Sequence, residues 1–219
     1  MATNEVYFVE TAVTGRDPTG KAVSFKDDTY AVASFVSLDK KTSVPGYDSE
    51  PKYKMDFLIK KGTKQDLAIR EAIKDILRKS HGQDAGQQFK KLTGGAPDWG
   101  SSNALPYRDG DLTKYNNHQG HMVLIAKTTA APTVWNGRRE QLQPKEIYDG
   151  CYVNAKITFM ATKTGGVSAI LNGVQFVAHG TPVTGGQPAT ADDFPELEVT
   201  DVDGVTYPDQ FTDPENAPF

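Results

Sequence analysis

The sequence predicts a mainly β domain with one helix inserted among its strands, and two patterns carry that prediction. From Cys151 to Thr162 the side chains alternate: Cys151, Val153, Ala155, Ile157, Phe159 and Ala161 fall on one face, Tyr152, Asn154, Lys156, Thr158, Met160 and Thr162 on the other. That is the period of a half-buried strand. Lys163-Thr164-Gly165-Gly166 supplies turn residues, and Val167 to Val177 resumes an apolar run, so the pair reads as an antiparallel hairpin. Between Thr63 and Gly82 the period changes to that of a helix, with Leu67, Ile69, Ala72, Ile73, Ile76 and Leu77 as its apolar stripe.

The remaining elements follow in chain order. Val6 to Val13 is a short β-like run, Gly15 to Gly20 a turn cluster, and Tyr30 to Val36 a second β-rich run. Lys52 to Ile59 alternates again, with Tyr53, Met55, Phe57 and Ile59 opposite Lys52, Lys54, Asp56 and Leu58. Thr63 with Asp66 three residues on makes an N-terminal cap, and Gly82 stops the helix. Ala85 to Leu92 is a second, short helical stretch. Gly94 to Gly120 is long and irregular, a length that inside a compact domain points to function or disorder. His121 to Thr128 is a further strand, and Pro132 to Gln143 a hairpin turning at Asn136-Gly137. His179 to Thr190, rich in Gly, Pro and Thr, reads as a linker.

The 219 residues are enough to bury a core without staples. The single Cys151 cannot form an internal disulfide and sits on the apolar face, where it reads as a small buried hydrophobe. No charged-then-apolar leader and no run of membrane-spanning length are seen, so a soluble protein of a reducing cytoplasm is expected, with no membrane association. Charge is segregated. Nine of the 28 acids lie between Ala191 and Phe219, where there is no Lys or Arg; residues 1–190 hold 19 acids against 24 bases. A basic body of about +5 thus carries an acidic tail of −9, too poor in regular apolar positions to fold alone.

Candidate binding residues are aromatics and cations set on strand faces and loops, which suits single-stranded nucleic acid: rings stack on bases and cations neutralise phosphates. Tyr53, Tyr107, Trp135 and Tyr152 are the expected stacking residues; Lys52, Lys54, Arg108, Arg138, Arg139 and Lys156 the expected phosphate contacts. Asp109, Asp111, His118 and His121 leave open a metal-dependent nuclease, although neither Asp-Gly-Asp nor His-x-x-His is a specific metal motif. A protein-binding β-barrel with no nucleic-acid role is the other alternative. No cofactor is expected.

The Tyr148-x-Gly150-Cys151-Tyr152 lead-in to a long strand and the Gly166-Val-Ser-Ala-x-Leu-Asn-x-Val-Gln175 return are similar to the single-stranded DNA-binding proteins of tailed phages. In particular the chain resembles, from about Tyr53 to Gly180, a phage family first catalogued as a domain of unknown function and now grouped with OB-fold single-strand binders. The acidic tail ending in Phe219 shares the broader pattern of such proteins. The resemblance implies an OB-fold, a five-stranded Greek-key barrel with enlarged loops, over residues 1–180, then a flexible linker at 181–190 and a disordered tail at 191–219. It implies a non-enzymatic protein that coats single-stranded DNA during phage replication, recombination and repair in the infected bacterial cytoplasm. Phage or host replication proteins are the implied partners of the tail; a homo-oligomer is allowed by the sequence but not required.

Overall fold

The computed structural model describes residues 5–9, 15–16, 22–23, 31–43, 50–96, 99–100 and 104–183. All lie in the unit Met1–Thr184; the second unit, Gly185–Phe219, and with it the expected acidic tail, lies outside the described residues.

Ten strands are seen among the described residues: β1 (Glu5–Val9), β2 (Gly15–Arg16), β3 (Ala22–Val23), β4 (Ala31–Thr42), β5 (Lys52–Lys60), β6 (Tyr107–Asp109), β7 (His121–Thr128), β8 (Thr133–Trp135), β9 (Tyr152–Ala161) and β10 (Val167–Ala178). Helix α1 (Lys64–His81) and the short α2 (Ala85–Leu92) stand between β5 and β6. Strand pairing closes on itself: β4 pairs with β5, β5 with β7, β7 with β10, β10 with β9, and β9 with β4 again. The β7–β10 contact is parallel and the other four are antiparallel. This is a closed five-stranded barrel, the Greek-key OB architecture implied by the resemblance. β1 extends it beside β9, β8 lies along β10, β6 pairs with β7, and β2 with β3 forms a separate two-stranded ribbon. The expected turn cluster at Gly15 therefore holds a small ribbon strand, and the irregular Gly94–Gly120 stretch holds β6 and two 3-10 turns, Gly110–Leu112 and Asn116–His118.

The inward faces are the apolar sets that alternation predicts. Met55, Phe57 and Ile59 of β5, Met122, Leu124 and Ala126 of β7, Val153, Ile157 and Phe159 of β9, and Leu171 of β10 are all buried. Cys151 joins them, and burial pushes its thiol up to about 11, so it is an unreactive core residue. Helix α1 packs on β9 and also touches β5 and β10, burying Ile69, Ala72, Ile73, Ile76 and Leu77. Leu67, counted in the stripe from sequence, is 60% exposed. The cap forms as expected: Thr63 Oγ1 accepts from the amide of Asp66 at 3.3 Å, and Gly82 ends the helix at φ 56°. The β9–β10 turn is tied to the helices through Gly165, whose carbonyl accepts from Gln88 Nε2 at 2.9 Å and lies 3.0 Å from His81 Nε2. No helix among the described residues is long and apolar enough to cross a membrane.

Candidate nucleic-acid interface

On its outer surface the barrel carries a cleft of about 1020 Å³ that runs over β5 and β7 toward β10. Its position follows from register. Lys54 stands opposite Lys127, Asp56 opposite Ile125, and Ile170 opposite Lys127 on the far side, so these outward side chains form one floor. Lys52, Lys54, Arg108 and Lys127 supply its cations, and Thr162, Thr164 and Ser168 bound it at the β9–β10 turn. Asp56 is the one acid among the described residues lining it.

One wall is aromatic and depends on an irregularity in β4. Ser34 pairs with Asp56 but Ser37 pairs with Lys54, so β4 carries one extra residue there, a bulge. Phe35 within it has φ 49°, a left-handed conformation that costs a bulky residue energy and that tends to occur where a side chain is aimed for function. The displaced amide of Val36 is satisfied by Asp149 Oδ1 at 2.8 Å. The Phe35 ring meets Tyr115 edge-on at 4.8 Å between centroids and His118 at 5.8 Å, and Tyr115 lies 5.1 Å from His118. Lys114 Nζ lies 5.4 Å from the Tyr115 ring centroid.

His118 is fixed from behind. Thr113 Oγ1 lies 2.8 Å from the carbonyl of Gly110 and 3.0 Å from His118 Nδ1, and so holds the imidazole in place. Burial, then Arg108 and His121, push the His118 pKa down, which keeps the ring neutral. Gly110 is required at its position: a Cβ there would lie 2.4 Å from the carbonyl oxygen of His118 and 2.5 Å from that of His121.

Electrostatically the floor is a cationic cluster around one buried carboxylate. Asp56 is 9% exposed, and burial pushes its pKa up to about 7, against the pull of Arg108, Lys54 and Lys127. Burial lowers the Arg108 pKa while Asp56 and Tyr115 raise it. A guanidinium starting from so high a value stays charged.

The residues expected from sequence divide into three groups. Lys52, Lys54 and Arg108 line the cleft. Trp135, Tyr152 and Lys156, with Arg138 and Arg139 at the β8 turn, stand outside it on the adjoining β8–β9–β10 face. There Asn154, Gln175 and Trp135 stand in one row and Lys156, Gly173 and Thr133 in the next. Register joins that face to the cleft, because Lys127, Ile170 and Thr158 are successive neighbours across the sheet. Trp135 is 39% exposed, and Lys156, Arg138 and Arg139 are exposed. The left-handed residue of the β8 turn is Arg139, at φ 65°, rather than Gly137.

Two aromatic expectations are corrected. Tyr107 is fully buried: its hydroxyl donates to Asp66 Oδ1 at 2.9 Å and its ring packs edge-on to Trp99, so it is a core residue and offers no face to a base. Tyr53 lies on the core side of β5, half-buried, with Lys41 Nζ 5.7 Å from its ring centroid, and it does not line the cleft. Sequence reasoning missed Lys127 and Phe35 as site residues. The first was within reach, since alternation in β7 places Val123, Ile125 and Lys127 opposite the core set.

The nuclease alternative fails on Lys61. Its ammonium sits between the carboxylates of Asp109 and Asp111, bonded to both, and Asp111 Oδ1 also accepts from the Gly120 amide at 2.6 Å. His118 belongs to the ring cluster, and His121 Nδ1 lies 2.8 Å from the Gln119 carbonyl. The four side chains are already committed to one another's neighbours, and no set of three such ligands converges among the described residues.

An OB barrel with a cationic, ring-walled cleft over its second and third strands is the architecture of an oligonucleotide binder. Residues 29–204 match the family described as Enterobacter phage Enc34, ssDNA-binding protein, and the chain belongs to that family. Protein p50 of Acyrthosiphon pisum secondary endosymbiont phage 1 is 32% identical over 175 residues, covering 77% of this chain and 91% of that protein. The solved single-stranded DNA-binding protein from bacteriophage Enc34 superposes with a TM-score of 0.51 at 26% identity, over 84% of this chain and 98% of its own. The same protein in complex with ssDNA gives a TM-score of 0.52 at 24% identity, over 79% and 98% of the two chains. Like the rest of its family, the protein is a binder and not an enzyme.

Proposed function

We propose that the protein coats and protects single-stranded DNA during phage DNA replication, recombination and repair, without strong sequence preference. The observation that carries this reading is the cleft itself: Lys52, Lys54, Arg108 and Lys127 share it with the half-buried ring of Phe35 and the exposed ring of Tyr115. Cations along a groove neutralise a backbone whatever its sequence, and ring faces stack on every base. The strand lies across β5 and β7, and its continuation passes Ile170 toward Lys156, Tyr152, Trp135, Arg138 and Arg139. Residues 1–180 form the DNA-binding domain, 181–190 the linker and 191–219 the tail.

A gel-shift or anisotropy titration with an unstructured single-stranded oligonucleotide tests the reading. With four cations in the cleft, log affinity is expected to fall with log salt at a slope of about −3, from about −0.7 per phosphate contacted. A flat titration counts against a phosphate-gripping cleft.

The tail, with nine acids and no base after Ala191, imitates the charge of the strand and competes with it for the cleft. Within it, Phe219 gives replication proteins an apolar residue to hold. Truncation after Thr190 is expected to tighten binding at low salt, with the gain vanishing at high salt as the attraction is screened. Equal affinities of the full and truncated chains at low salt would contradict the competition.

A further inference from the structure

Asp56, the one acid among the described residues lining the cleft, sets a carboxylate in a groove for a polyanion, where it opposes binding. Asp56 is no rim residue. It lies on the floor, on the outer face of β5, in register with Ile125 of β7 and Ser34 of β4. The charges that reach it come from every side: Lys54 two residues along its own strand, Arg108 from β6, Lys127 diagonally across on β7, and Asp149 from the turn before β9. β4 contributes no ionised group there, only the buried hydroxyl of Ser34, and the 3-10 turn Asn116–His118 contributes the neutral His118. Three cations gathered around one buried anion leave an excess of positive charge that attracts a second anion, and that second anion repels the carboxylate already buried there.

We propose that Lys54, Arg108 and Lys127 grip a backbone phosphate at the centre of the cleft, and that Asp56, their counter-charge in the free protein, takes up a proton as the phosphate arrives. The proposal rests on the single-stranded DNA reading above and adds to it one phosphate subsite with a defined proton stoichiometry. The proton comes from solvent and ends on a carboxyl oxygen of Asp56. No covalent bond is made or broken apart from that O–H bond, and the cluster keeps one net negative charge opposite its three cations before and after.

The direction of the pH effect follows from linkage. In the free protein burial holds Asp56 at about 7, with the three cations pulling it down and Asp149 pushing it up. A phosphate bonded to those cations weakens their pull and adds its own repulsion, so the carboxyl holds its proton more tightly in the complex. Binding therefore takes up protons where free Asp56 is ionised. Above pH 7 and below the raised pKa of the complex the uptake approaches one proton, and affinity falls by up to about tenfold per pH unit. Below about pH 6 free Asp56 is already protonated and affinity levels off.

The test uses the full chain and dye-labelled oligo(dT), whose bases do not titrate in this range. Anisotropy at constant ionic strength gives the affinity from about pH 6 to about pH 9, and calorimetry at about pH 8 in two buffers of different ionisation enthalpy counts protons directly. Uptake approaching one proton at the higher pH, together with a sloping affinity, supports the subsite. In Asp56→Asn the slope and the uptake should disappear, and binding at high pH should tighten. The wild-type proton count stands even where that variant folds poorly. Binding with no uptake, or a slope unchanged in Asp56→Asn, overturns this inference while leaving the DNA reading intact. Absence of binding at every pH overturns both.

Discussion

Asp66→Ala is expected to lower the stability of the domain by about 3–5 kcal/mol, the cost typical of removing one partner from a buried ion pair. The carboxylate is 1% exposed and joins three parts of the chain. Its Oδ2 accepts from the Gly62 amide at 2.8 Å, in the turn leaving β5; its Oδ1 accepts from Arg70 Nε at 2.6 Å, one helical turn on, and from the Tyr107 hydroxyl at 2.9 Å, on β6. Arg70 in turn lies 5.8 Å from the centroid of Trp99, which stacks edge-on with Tyr107 and Phe89. Alanine removes the acceptor that a guanidinium, a buried hydroxyl and a backbone amide share. Thermal denaturation followed by tryptophan fluorescence should show a fall in Tm on the order of 10 °C. Asp66→Asn, which keeps one acceptor oxygen but no charge, should fall between alanine and the wild type. A loss below about 1 kcal/mol for the alanine variant would mean the neighbours re-form their bonds without it.

That network also shows where sequence reading reaches its limit. Thr63 and Asp66 are legible as a cap because capping is local, set by residues three apart. That Asp66 is also the buried partner of Tyr107 is a contact across 41 residues, and nothing near either position announces it. The same non-locality misplaces Tyr107. Tyr107 and Arg108 are adjacent on a three-residue strand, so one must point in and the other out, and three residues are too few for alternation to decide which. In β5 nine residues alternate, and the outward placement of Lys52 and Lys54 can be read directly. The long strands are legible for this reason, each carrying its two faces in its own pattern, whereas their closure into a barrel is reached only through the family resemblance. The aromatic wall is not legible, because Phe35 reaches it through a bulge that breaks the alternation of β4, and because its neighbours come from the turns around residue 115.

That wall gives the larger functional effect. Phe35→Ala and Tyr115→Ala are each expected to weaken single-stranded DNA binding by about 1–3 kcal/mol, roughly five- to 150-fold, the range for losing one base stack. Tyr115 is 38% exposed and packs on Phe35 at 4.8 Å, so the two rings form one platform and their losses will not add. Phe35 also permits a separation of binding from folding. At φ 49° alanine keeps the left-handed strain that phenylalanine bears, whereas glycine adopts that conformation without it. Phe35→Gly should therefore bind as poorly as Phe35→Ala yet melt about 1 kcal/mol more stably, the usual cost of a left-handed residue with a Cβ. Anisotropy titrations at one salt concentration, paired with denaturation curves, read both quantities on the same samples. If Phe35→Gly binds like the wild type, the ring contributes packing to the bulge and the bases stack elsewhere, with Trp135 and Tyr152 on the adjoining face the next residues to exchange. If it binds weakly but is also as unstable as alanine, the left-handed geometry is held by the β4–β5 register and Asp149 rather than strained by the side chain, and the ring's effect on DNA still stands.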